Sequence, residues 1–208
     1  MIATDVEPKT RLWTRSEYYS MADIGLFEGQ RVELIEGEIV VMSPQDFSHT
    51  SSVAAVANAI RKAFGTGYWT REEKPLRLGE NSELEPDVSV VPGAIRDYDD
   101  HPTTAILVVE VSGSSLKNDR TRKAALYAKA GIADYWIINL WGRCVEIYRN
   151  PKQDAAGQFS YELAGTFASD AVISPLLIPE SKIAVADLLP PEKLMRNPSD
   201  SSSNDELK

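Results

Sequence analysis

The sequence is poor in the residues that build thiol and imidazole sites. It has one cysteine, Cys144, and two histidines, His49 and His101, in 208 residues. One thiol forms no intrachain disulfide, and a zinc site built on several thiolates is excluded with it. Any metal must be held mainly by oxygen, which selects a hard cation such as Mg²⁺ or Mn²⁺. Basic residues are also outnumbered: 22 Lys and Arg stand against 31 Asp and Glu, a formal charge of −9. That balance argues against a protein that coats nucleic acid, though not against an enzyme that touches it locally. No apolar run approaches the roughly 18 residues of a membrane helix. The start, MIATDVEPKT, lacks the basic-then-apolar order of a signal peptide. A cytoplasmic protein without a membrane partner is therefore expected.

What is present describes a folded chain. Hydrophobic residues make up 43% and charged residues 25%, too apolar for disorder. The stretch PPEKLMRNPSDSSSNDELK is rich in proline, serine and acid, so we expect one domain over residues 1–189 and a mobile tail over 190–208. Charge is segregated along the chain. Residues 72–100 hold nine acidic and three basic side chains, whereas 117–129 hold five basic ones against Asp119. Such separation is either ordinary surface variation or the two halves of a site.

Residues 16–24 read as a short helix capped by Ser16. RVELIEGEIVVM reads as a hairpin turning at Glu36-Gly37. A longer helix follows, capped by Ser48 or Thr50, with Val53, Val56, Ala57, Ile60, Ala63 and Phe64 as its apolar stripe and glycines 65 and 67 at its end. Strands are expected at 68–70, 76–78, in DVSVV after Pro86, and in AILVVEVS at 105–112, whose apolar run suits a buried central strand. SLKNDRTRKAALYAKAG reads as a second helix stopped by Gly131. ADYWIINL and RCVEIYR form a hairpin around Trp141-Gly142, and FSYELA an edge strand. This order predicts an α/β (α+β) fold: a mixed β-sheet flanked by helices, with an N-terminal hairpin and additional C-terminal strands.

Two carboxylates interrupt apolar strands. Glu110 lies among Val108, Val109 and Val111, where a bare charge costs several kcal/mol unless compensated. Either a buried arginine or a strand end accommodates it, or a metal does. Asp87 follows Pro86 and opens an apolar strand; Pro-Asp alone is an ordinary turn pair. Two acids on successive strands can meet at one sheet edge and outline a hard-metal site. Lys123 shares a helical stripe with Leu116, Tyr127 and Ala130, which turns it toward the packed side. By itself this residue reads better as a surface pair with Asp119, four positions earlier.

These residues coincide with a family pattern. The chain resembles the Uma-two family of the PD-(D/E)XK restriction-endonuclease-like superfamily. The likeness runs through RVELIEGEIVVMSP, EPDVSVV, LVVEVS and KNDRTRKAALYAKAGIADYWIINL, over roughly residues 15–150. It implies a restriction-endonuclease-like core. It also implies Asp87 and Glu110 as metal ligands for Mg²⁺ or Mn²⁺, and a lysine that has left its motif position, where Ser112 stands. Lys123 is the natural replacement, with Lys117, Arg120 and Arg122 as alternatives. Glu33 and His49 fall on recurrent family positions too; otherwise they read as an exposed hairpin acid and an exposed helix-entry histidine. The resemblance implies a metal-dependent endonuclease acting on DNA, as a homodimer, with residues 117–129 as its phosphate-facing basic surface. Two rival expectations accompany it: a hydrolase of RNA or another phosphodiester, and an inactive binding or assembly module on the same fold.

Overall fold

Helix α1 (Arg15–Asp23) begins one residue earlier than its spacing suggests, because Thr14 rather than Ser16 is its cap. The Glu17 amide donates to Thr14 Oγ1 at 3.3 Å and the Thr14 amide to the Glu17 carboxylate at 3.0 Å. The sequence T-R-S-E thus closes a capping box. The computed structural model describes residues 9–194, so the start of the chain and the expected tail beyond residue 194 lie outside the described residues.

Strands β1 (Val32–Ile35) and β2 (Glu38–Val41) form the expected hairpin. Glu36 and Gly37 both take positive φ, 52° and 82°, the pairing that a two-residue turn of this hand demands. A Cβ on Gly37 would also fall 2.5 Å from Leu12 Cβ. Helix α2 (Phe47–Phe64) starts at Asp46, whose Oδ1 accepts the His49 amide at 2.8 Å. The carboxylate therefore takes the capping role expected of Ser48 or Thr50, both of which lie inside the first turn. Val53, Val56, Ala57, Ile60 and Phe64 are buried, as the stripe requires.

The strands that follow are β3 (Tyr68–Glu72), β4 (Leu76–Arg77), β5 (Glu83–Leu84), β6 (Val88–Pro92) and β7 (Leu107–Ser112). The second helix is not continuous. It runs as α3 (Leu116–Asn118), a π-helical turn over Asp119–Lys123, and α4 (Ala124–Lys129). It leads into β8 (Asp134–Asn139), parallel to β7. Strands β9 (Cys144–Gln153) and β10 (Phe159–Ala168) return antiparallel, and β11 (Val172–Ile173) pairs with β12 (Ile183–Ala184).

The main sheet has the order β10-β9-β8-β7-β6-β3, and a smaller one the order β2-β1-β5-β4. AILVVEVS accordingly supplies an interior strand and FSYELA an edge. Alternation along β7 sends Leu107, Val109 and Val111 to the face covered by α2, and Val108 to the face covered by α4. The two helices thus cover opposite faces of one mixed sheet, as expected. Within residues 190–194, Glu192–Leu194 form a 3₁₀ turn, and Ser48 Oγ donates to the Leu194 carbonyl at 2.7 Å. Among the described residues no helix is long and apolar enough to cross a membrane.

Thr14→Ala should lower stability by about 1 kcal/mol, a fall of roughly 2–4 °C in Tm. A thermal melt followed by circular dichroism reads it. An unchanged Tm would mean that the capping box does not hold α1.

Candidate active site

Two strand ends bring the carboxylates together. Antiparallel pairing sets Val88 opposite Val109, which places Asp87 beside Glu110. The alternation that buries Val109 under α2 turns Glu110 to the α4 face. The Val111 amide donates to Asp87 Oδ2 at 2.7 Å, and the Asp87 amide approaches Glu110 Oε2 at 3.4 Å. Glu110 is 3% exposed and Asp87 7%.

Lys123 reaches them from the crossover. Its side chain is 3% exposed as a residue and donates from Nζ to Glu110 Oε1 at 3.1 Å and to Glu33 Oε1 at 3.3 Å. The surface pair with Asp119 does not form. Asp119 Oδ2 instead accepts from Ser112 Oγ at 2.7 Å and Ser115 Oγ at 2.6 Å. Ser112, at the place where the superfamily pattern has its lysine, thus ties down the first residue of the π-helical turn that ends at Lys123. Such turns recur at functional sites because they re-aim side chains that a regular helix would carry elsewhere.

Glu33 comes from the small sheet. Its Oε1 also accepts the Glu85 amide at 3.0 Å, while Oε2 is buried without a partner. It is a buried acid in the cluster, not the exposed hairpin acid of its alternative reading. His49, in the first turn of α2, sets Nε2 3.4 Å from Asp87 Oδ2, and its Nδ1 is buried without a partner. All five residues expected in the site, Asp87, Glu110, Lys123, Glu33 and His49, line one cleft of about 680 Å³.

Asp119, which is buried, and Trp141, 53% exposed on the rim, line the cleft as well, and Tyr127, outside the lining, donates to Glu110 Oε1 at 2.6 Å. Tyr127 could have been found from its shared stripe with Lys123. Nothing in the sequence marks Asp119 as more than a helix acid.

The electrostatics are unbalanced. Four buried carboxylates, Glu33, Asp87, Glu110 and Asp119, face one lysine. Burial holds the Glu110 carboxyl well above the usual range; Lys123 opposes that shift, and Asp87, Asp119 and Glu33 add to it. Burial likewise raises Asp119. Burial works against the Lys123 ammonium, but Glu110, Glu33, Asp119 and Asp87 outweigh it and hold it charged beyond an ordinary lysine. His49 follows the same logic: desolvation opposes its charge, and Asp87 prevails and raises it.

A hard cation fits this chemistry. The donors are carboxyl oxygens, four acidic groups gather around Lys123 and His49, and Glu33 Oε2 has no partner. Among the described residues no three Asp, Glu, His or Cys side chains form a ready metal cage.

The expected basic surface is largely spent inside the protein. Arg120 is bidentate on Glu146, and Arg122 pairs with Glu36 and Glu38. With Lys123 buried, only Lys117 and Lys129 of that segment are exposed and without an ion pair among the described residues. The +4 is real in the sequence, but acids from β2, the β1–β2 turn and β9 neutralise most of it.

Residues 15–186 match the Uma2 family, described as "Putative restriction endonuclease". No curated protein matches the chain. Among solved structures the chain is similar to a crystal structure of a "putative nuclease belonging to DUF820" from Anabaena variabilis. Identity is 20% and the TM-score 0.60, over 76% of this chain and 89% of that one. At that identity the likeness speaks for the fold, and it bears out the restriction-endonuclease-like architecture.

Lys123→Met would leave Glu33 and Glu110 buried without their cation, and should cost about 3–5 kcal/mol near neutral pH. A carboxyl raised in the folded state binds more protons there than when unfolded. Stability therefore falls as pH rises from the unfolded value, about 4.3, through the folded one. Urea denaturation of Lys123→Met should show a deficit at about pH 8 that shrinks toward about pH 5. Equal deficits at both would contradict the ion cluster.

Proposed function

The chain belongs to the Uma2 family, a nuclease at family level, and from that premise we propose a Mg²⁺- or Mn²⁺-dependent nuclease that hydrolyses phosphodiester bonds of DNA. The observation that carries the proposal is the meeting of Asp87, Glu110 and Lys123 in one cleft. Asp87 and Glu110 would hold the metal, with Glu33 beside them. When bound, the ion would acidify water and neutralise phosphate charge.

The chain's own groups divide the remaining work. Lys123 keeps its proton under the pull of four acids, so it acts as a fixed positive charge rather than a base. It stabilises negative charge developing on the phosphate. Tyr127 and Lys123 share Glu110 Oε1, which holds that carboxylate in place and leaves Oε2 toward Asp87. His49, fixed by Nε2 against Asp87, offers a proton or a hydrogen bond to phosphate oxygen. The backbone amide of Val111 donates to the same Asp87 oxygen and helps orient it.

A second reading is a hydrolase of RNA or another short phosphodiester. It is favoured by the few unpaired cations near the cleft and by Trp141, exposed on its rim, where an unpaired base could stack.

Plasmid and short single- and double-stranded DNA and RNA, incubated with Mg²⁺ or Mn²⁺, test both readings. Asp87→Asn, Glu110→Gln and Lys123→Ala should each slow cleavage by about 10²-fold or more, or roughly 3 kcal/mol at the transition state. Equal cleavage by wild type and the triple variant, or none of any substrate, would overturn the catalytic reading. Binding should weaken only shallowly with salt, with a log–log slope of about −2 to −3 for two or three phosphate contacts. A slope near −8 would contradict the charge accounting.

A further inference from the structure

On the α4 side of the sheet, away from the cleft, a buried cation has no counter-charge among the described residues. Arg71 of β3 is 3% exposed. Its Nη2 donates to the Pro75 carbonyl at 2.8 Å, whereas Nε and Nη1 are buried without a partner. No Asp or Glu among the described residues pairs with it. Burial presses its pKa down, opposite in direction to the raised Arg15 and Arg120, which sit on carboxylates. The ring of Trp69 covers the guanidinium at 4.9 Å.

A second unmet group faces it. Ser89 of β6 is the direct cross-strand partner of Arg71. It is 1% exposed, and its Oγ has no hydrogen-bond partner either. Alternation puts Trp69, Arg71, Ser89 and Val91 on one face, so the unmet donors are neighbours. Beside Arg71 opens a cavity of about 340 Å³ lined by Trp69, Arg71, Tyr98, Asp99, Asp100 and His101; Ser89 is not among its lining residues. Asp100 is already neutralised by Arg15 at 2.7 Å and Arg77 at 3.0 Å. No residue lines both this cavity and the cleft of Asp87 and Glu110.

We propose that this cavity binds a phosphate group, carried by a nucleoside monophosphate or as the free ion. Three donors, Arg71 Nε, Arg71 Nη1 and Ser89 Oγ, match the acceptor oxygens of a phosphate. An isolated buried guanidinium is a group that gains most from an anion. The part-exposed Trp69 and Tyr98 rings, 5.8 Å apart between centroids, offer a planar base an aromatic wall. The free guanidinium atoms are closed off from water, so binding has to rearrange the contact between Arg71 and the Trp69 ring that covers it. Binding therefore alters tryptophan fluorescence.

The full chain, in chelator and at constant ionic strength, would be melted with inorganic phosphate, adenosine monophosphate or adenosine. At ligand about a hundredfold above Kd the wild type should gain roughly 5–10 °C in Tm, with a change in tryptophan emission. Adenosine should do nothing. A shift by phosphate alone assigns the free ion, and one by the monophosphate alone assigns the nucleotide; either supports the site. Arg71→Met should abolish the shift while melting, without ligand, at the wild-type temperature or above, since it removes an unpaired buried charge. Ser89→Ala should weaken the shift. Asp87→Asn should keep it, which separates this site from the nuclease reading. No shift by either phosphate, an equal shift by adenosine, or a shift retained in Arg71→Met would overturn the proposal.

Discussion

The site depends on one buried ammonium. Lys123 Nζ lies between Glu110 and Glu33, within reach of the fields of Asp87 and Asp119. Without it, two strands, a hairpin and a helix would bring like charges together in a place nearly free of water, where such charges repel most strongly. With it, the cluster is held but not balanced. Four acidic groups face Lys123 and, from α2, His49, while burial pushes Glu110 and Asp119 toward their neutral forms. A structural ion pair would close its account internally. Here Glu33 Oε2 is left without a partner, and in the proposed reading a cation completes the cluster.

The route by which Lys123 arrives explains how the site tolerates Ser112. A lysine one residue beyond Val111 would extend from the strand itself. Here the strand position carries a serine whose hydroxyl holds Asp119, and Asp119 opens the π-helical turn. The widened turn delivers Lys123 inward, while on either side Arg120 pairs with the buried Glu146 of β9 and Arg122 with the exposed Glu36 and Glu38. The basic segment is thus divided: one cation lies in the buried acid cluster, and two bind the helix to its surroundings.

Much of the fold was legible because periodicity and turn chemistry are local. The stripe of α2, the Glu36-Gly37 turn and the edge position of FSYELA all follow from spacing. The misplaced caps were local errors too, since Thr14 and Asp46 outcompeted nearby serines. For the site, an acid in a valine run marked Glu110, and Pro-Asp marked Asp87 once a second acid was in view. Lys123 was ambiguous because a helical stripe and an i,i+4 acid argue in opposite directions, and only the tertiary pairing decides. Asp119, the unpaired Arg71 and the neutralised basic face were not legible at all. Each depends on which side chain a distant strand presents, and charge counted along the chain does not show where charge is cancelled in space.

The central claim is that the acid cluster is completed by a divalent cation held on Asp87 and Glu110. Calorimetric titration of metal-free protein with Mn²⁺ tests it directly, without requiring the substrate to be known. The account predicts saturable binding that is lost in Asp87→Asn and in Glu110→Gln while both variants remain folded. No binding heat in the wild type, or the same isotherm in all three proteins, would contradict it.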